Sequence, residues 1–116
     1  MNKLYHLSEK NMDGSFLTPR VPDNYMTKNG YEDGKIARVC FSNSIDGALI
    51  AMSSNIKDKV FYIHEPEDYN KLDIINNKEI ISKKYVPDAH HTGETWVLNK
   101  VKLKCVGKIK VGEAKD

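Results

Sequence analysis

Apolar and polar residues alternate with a period of two in several short stretches of this chain, the pattern of strands that lay one face on a core. Lys3 to Leu7 reads as a first strand, ended at Ser8 by the polar stretch Glu9 to Gly14. Ile36 to Phe41 reads as another, with Val39 and Phe41 on one face and Arg38 and Cys40 on the other. Lys59 to His64 is rich in aromatic and β-branched residues and is stopped by Glu65-Pro66. Ile80 to Lys84 is read as a strand after a turn at Asn76-Asn77, within a region from Asp68 where a short helical turn fits as well. Glu94 to Leu98 resumes a strand. Val101, Leu103 and Cys105 then alternate with lysines, and Ile109 and Val111 continue past Gly107, which predicts one long or two short strands with a bulge at the glycine.

The period changes once. Ile45, Ala48, Leu49 and Met52 follow the i, i+3, i+4, i+7 spacing of a helix face, with Ser44 placed to cap its start and Asp46 in its first turn. Between Phe16 and Lys35 the chain carries Pro19, Pro22, Gly30 and Gly34, so regular structure is expected to be sparse. A loop of that length is uncommon in a compact domain, and its aromatics Phe16, Tyr25 and Tyr31 predict that it docks. Val86 to Gly93 is also read as a loop. The order predicts a single α+β domain over residues 1–116, with a mainly antiparallel curved or split β-sheet core, one clear helix at about residues 44–54 and a long N-terminal loop.

Composition changes this picture little. With 40% hydrophobic and 29% charged residues the chain is of ordinary globular type, and 18 Lys and Arg against 16 Asp and Glu give a net charge of +2. Such a balance favours neither a nucleic acid nor a membrane surface as partner. The longest apolar run, Gly47 to Met52, is far below a membrane span, and Met1 to Lys10 lacks the apolar core of an export signal, so a cytoplasmic setting is expected. Cys40 and Cys105 each sit in an apolar β-like run and are expected to be buried free thiols.

Candidate chemistry is sparse by motif. His90-His91 are adjacent on an extended segment and so point apart, and no Cys-x-x-Cys or His-x-x-x-His spacing accompanies them, which argues against a metal site. No glycine-rich phosphate loop is present; the strand-to-helix turn is Ser42-Asn43-Ser44. A polar set spread over several elements carries more: His6, Arg20, Arg38, Ser42, Ser44 and Glu94. A histidine and a hydroxyl can hold a ribose, an arginine or a helix start can hold phosphate, and a carboxylate can pull on a ribose hydroxyl or stabilise an oxocarbenium-like transition state.

Three pieces of the chain, in order, resemble the motifs of compact ADP-ribosyltransferase-type domains. Leu4-Tyr5-His6-Leu7-Ser8 resembles a first-strand motif of an aromatic, a histidine, a small residue and a hydroxyl residue. Arg38-Val39-Cys40-Phe41-Ser42-Asn43-Ser44, followed at once by a helix, resembles the second, and Gly93-Glu94-Thr95-Trp96-Val97 the third. The resemblance covers about half the chain, and Leu7 stands where such enzymes commonly have glycine and Phe41 where many have tyrosine. It implies a split β fold that binds NAD or ADP-ribose as a nucleotide or dinucleotide ligand. His6 and Ser8 would hold a ribose, Phe41 stack on the base with Ser42 and Ser44 in support, Arg20 or Arg38 meet phosphate, and Glu94 act on the ribose hydroxyl with His6 as the second catalytic residue. The alternative expectation is a non-catalytic binding protein of a phage or mobile element, inhibiting a host defence protein or sequestering a nucleotide signal.

Overall fold

Alternation sets the strands, and the structure pairs them in an order the sequence does not announce. The computed structural model describes residues 3–52 and 55–112. Its strands are β1 (His6–Ser8), β2 (Phe16–Leu17), β3 (Val39–Ser42), β4 (Val60–Pro66), β5 (Ile74–Ile75), β6 (Glu94–Val97) and β7 (Val101–Lys110). Among the described residues they form two antiparallel sheets, one ordered β1-β4-β7-β2 and the other β3-β6-β5. The helices are short: α1 (Tyr25–Lys28), α2 (Ile45–Ala51), α3 (Asn77–Ser82) and α4 (Ala89–Thr92). The fold is α+β, and no described helix is long and apolar enough to cross a membrane.

Helix α2 forms where the spacing places it. The Ser44 side chain accepts from Gly47 N–H and Asp46 lies in the first turn, favourable at the positive end of the helix. The last two residues of the expected span, 53 and 54, lie outside the described residues. Ala48 packs against Leu7, Phe61 and Ile63, which puts α2 on the inner face of the first sheet. A second cluster of Leu4, Val39, Phe41, Val97, Val101 and Leu103 fills the space between the sheets. A third, of Ile80, Val86, Ala89 and Trp96, binds α3 and α4 to the second sheet.

Several local expectations are corrected. Glu65-Pro66 does not stop β4, which runs through both residues to pair Pro66 with Leu103. Ile80 to Lys84 is not a strand. Asn76 accepts from Glu79 N–H as an N-cap, and α3 turns Ile80 fully into the core against Trp96. The loop from Phe16 to Lys35 contains α1, whose Asn24 and Thr27 form a reciprocal capping box. His90 and His91 lie on α4 rather than on an extended loop. The bulge in β7 falls beside the glycine: Ile63 faces Gly107 whereas His64 faces Cys105, so Val106 is the inserted residue. Both cysteines are free, but Cys40 is exposed and Cys105 half-buried.

Candidate functional site

Among the described residues one backbone bridge joins the two sheets, between Tyr5, just ahead of β1, and Ser42 at the end of β3. Tyr5 N–H donates to the Ser42 carbonyl at 2.8 Å, and Ser42 N–H returns the bond to Tyr5 at 3.0 Å. Beyond this bridge the strands belong to different sheets, and a cleft of about 190 Å³ opens between them. Tyr5, His6, Leu7, Cys40, Phe41, Ser42, Thr92 and Glu94 line it, with Ala48, Ala51 and Met52 of the α2 end closing the apolar side. A second hollow, of about 220 Å³ and lined by Thr18, Arg20 and Pro22, shares His6 and Cys40 with the first.

Four of the residues singled out in the sequence therefore meet in one cleft: His6, Phe41, Ser42 and Glu94. Their surroundings differ. His6 lies opposite His64 across β1 and β4, with ring centroids 6.0 Å apart, and meets the Phe41 ring edge-on at 6.2 Å. Burial pushes its imidazole below the ordinary value, His64 adds to the effect, and a backbone hydrogen bond at Cys40 opposes it. Phe41 is only 3% exposed and packs in the core between the sheets. That burial leaves it as a wall behind His6 with no open ring face, so the expected stacking on a base does not fit its position; Tyr5, half-buried at the cleft, is the better placed aromatic. Ser42 is buried, donates its hydroxyl to the Thr92 carbonyl and accepts from Ser44 N–H at 3.4 Å. Its hydroxyl is thus engaged in joining β3 to the ends of α2 and α4.

Arg38 is corrected most sharply. Its guanidinium is enclosed, donating from one nitrogen to the Asp33 and Ile36 carbonyls at 2.8 and 3.0 Å and pairing with Asp33 Oδ2 at 3.3 Å and Glu32 Oε2 at 3.9 Å. The remaining face lies over the Trp96 ring, 4.1 Å from its centroid. A group so enclosed has no surface to offer a phosphate. Arg20, bridged to Arg38 through the backbone, is exposed at the second hollow. Ser8 and Ser44 do not line the cleft: Ser8 accepts from Lys10 N–H and Ser44 caps α2. His90 and His91 are exposed with ring centroids 3.9 Å apart, and no cluster of three or more metal-ligating side chains occurs among the described residues.

Glu94 opens β6 opposite Ser42. Burial pushes its carboxyl above the usual carboxylate range; hydrogen bonds from Trp96 and Cys40 and the charge of Arg38 pull the other way, while Asp88 adds to the rise. Cys40 Sγ sits 3.9 Å from Glu94 Oε2, and although the residue has an open edge, burial of the sulfur followed by repulsion from Glu94 pushes the thiol up to about 12. A thiol held in its neutral form is a poor nucleophile, so Cys40 serves the cleft as wall rather than reactant.

His64 is the residue the sequence reading missed. It is fully buried, its Nδ1–H donating to the His6 carbonyl at 3.1 Å and its Nε2 accepting from Met12 N–H at 2.9 Å, the tautomer following from those partners. It ties β1, and with it His6, to the loop after the strand. Its inward position at the end of an aromatic, β-branched run was the available signal.

Comparison with family models, with curated proteins and with solved structures finds no match. The geometry of the cleft therefore carries the functional argument.

The lowered imidazole of His6 sets a pH dependence. An unfolded chain takes up this proton near 6.5, before the folded chain does, so stability is unaffected above that value and falls as pH drops below it. Glu32 and Glu94 have the opposite sign, because burial raises both carboxyls and the fold gains as pH falls through their raised midpoints. His6→Gln should flatten the loss of stability between about pH 7 and pH 5 in urea denaturation. A variant curve parallel to that of the parent would remove His6 from this role.

Proposed function

We propose that the chain is a nucleotide-binding domain of ADP-ribosyltransferase type, acting on NAD or ADP-ribose in a cytoplasmic setting. The observation that supports this reading is the meeting of His6 from the first strand and Glu94 from a late strand in one cleft between two separating sheets. The two residues supply a neutral ring for a ribose and a carboxylate for its hydroxyl. A cleft of about 190 Å³ is below the roughly 300 to 1,000 Å³ of most ligand sites, and accommodates one ring with its sugar better than a whole dinucleotide. The second hollow, across His6 and Cys40, gives the pyrophosphate a path towards Arg20. Transfer would break the bond between nicotinamide and ribose, nicotinamide departing as the neutral base while Glu94 stabilises the cationic sugar, and form a new bond from the anomeric carbon to an acceptor nucleophile or to water, whose proton passes to solvent.

Calorimetric titration with NAD and with ADP-ribose, followed by measurement of free nicotinamide, tests the reading. Saturable binding with release is expected. Glu94→Gln should lower release by about a hundredfold or more while retaining binding, and His6→Ala should weaken both. Binding without release would favour sequestration of the nucleotide. Absence of binding would sink the reading.

One observation favours a second reading, a non-catalytic protein that binds a protein target. Tyr25 and Tyr31 of the long loop are 68% and 57% exposed and stack with ring centroids 6.1 Å apart, an amphipathic pair of the kind enriched at protein interfaces.

A further inference from the structure

One carboxylate oxygen of Glu94 is already committed within the protein. Trp96 Nε1–H donates to Oε2 at 2.6 Å, and the Cys40 sulfur lies 3.9 Å from the same oxygen. Among the described residues Oε1 accepts no hydrogen bond. Glu94 and Trp96 are two apart on β6, so their side chains rise from the same face of the sheet. The indole has little freedom to turn away. It is fully buried, the Arg38 guanidinium carbon lies 4.1 Å from its ring centroid, and the Tyr85 ring stacks on it at 5.4 Å and 14°.

We propose that Trp96 is the positioning residue of the cleft, holding Oε2 of Glu94 through its indole N–H so that Oε1 alone is offered to a ligand hydroxyl. What the hydroxyl belongs to rests on the reading of the cleft as a ribose site; the hold on Glu94 stands on this geometry. Arg38 has a part in it. A cation over the face of an indole draws electron density from the ring, which makes the edge N–H a stronger donor. Arg38 thus reaches the cleft through Trp96 rather than by touching a ligand. A carboxylate fixed before the ligand arrives also loses little rotamer freedom on binding.

The chain has a single tryptophan, so its indole N–H gives one resonance that reports on this bond without any substitution. That resonance should move with pH alongside the Glu94 carboxyl, and the movement should vanish in Glu94→Gln. An indole signal that ignores pH, or that titrates unchanged in Glu94→Gln, would overturn the proposal. Trp96→Phe keeps an aromatic ring beneath Arg38 and removes the donor, at the cost of a small cavity that lowers stability without supplying a new partner for Glu94. In that variant the Glu94 carboxyl, followed by carbon NMR, should titrate at higher pH than in the parent, because a hydrogen bond to the charged form has been lost. An unmoved midpoint would also overturn it. Where NAD is cleaved, Trp96→Phe should lower kcat about tenfold, leave KM nearly unchanged and move the acid limb of the pH profile upward. Failure of NAD to bind would sink the ribose reading alone, since the two NMR titrations decide the role of Trp96 by themselves.

Discussion

Arg38→Leu should destabilise the fold by about 3 to 5 kcal/mol at neutral pH. The magnitude follows from what removal leaves behind. Asp33 and Glu32, at 3.3 and 3.9 Å, lose their counter-charge in a region where their side chains are only 13% and 20% exposed. The Asp33 and Ile36 carbonyls lose their donor, and Trp96 loses the cation over its ring. Leucine refills part of the volume and none of the charge. The pH dependence separates this account from simple loss of packing. The charge of Arg38 holds down the carboxyls of Glu32 and Glu94, so without it both rise further, and the variant should regain stability relative to the parent as pH falls through those midpoints. Chemical denaturation at neutral and at acidic pH measures both quantities. A loss under about 1 kcal/mol, or a deficit that does not shrink in acid, would show that water already solvates these carboxylates.

Gly47→Ala is expected to follow, at about 2 to 3 kcal/mol or more, for a steric reason. A Cβ at position 47 would run into the Thr92 carbonyl oxygen and lie 2.7 Å from Ser42 Oγ. The first of these is backbone and cannot swing aside. Alanine is ordinarily the better helix former, so propensity alone predicts a gain and the close approach of α2 to α4 predicts a loss. The loss should prevail, because the contact also carries the hydrogen bond from Ser42 to Thr92 that fixes the edge of the cleft. Thermal unfolding of Gly47→Ala beside Ala51→Gly, a change at an exposed site of the same helix, gives the comparison. An alanine variant as stable as the parent would mean that α2 shifts freely over α4.

Much of the fold was legible where local signals agreed. Ser44, Asp46 and the spacing from Ile45 to Met52 all pointed to one helix, and alternation marked β3, β6 and β7 to within a few residues. Reading failed where a distant partner decided the outcome. The pair Ile80-Ile81 looks like a strand, but α3 buries Ile80 against Trp96, sixteen residues on, and leaves Ile81 exposed. The Asn76 cap with Glu79 three residues later was the local clue outweighed by β-branching. Pro66 reads as a stop in the sequence, yet it closes β4 opposite Leu103, because the last residue of a strand can lack a backbone donor without breaking the ladder. The candidate site shows the same division. His6 and Glu94 were visible as residue types at strand starts, whereas the burial of Phe41 draws on Leu103 and the ring beneath Arg38 is that of Trp96, both far along the chain. The groups that pair with the Arg38 guanidinium, on Glu32, Asp33 and Ile36, are near in sequence, but no local motif marks them. His64 escaped notice because its partners, Met12 and the carbonyl of His6, lie more than fifty residues before it.

The pairing of His6 with His64 spans 58 residues, and the cleft draws its walls from the first strand, the middle of the chain and the turn before β6. Contacts of such separation form only after long loops have closed, at a chain-entropy cost that grows with the logarithm of loop length. Assembly of the cleft therefore requires those loops to close, whatever local structure forms without them. Neither the β3-α2 segment nor the β6-β7 segment contains it in miniature, and a chain that has reached its secondary structure without docking β1 has the residues of the site but not the site.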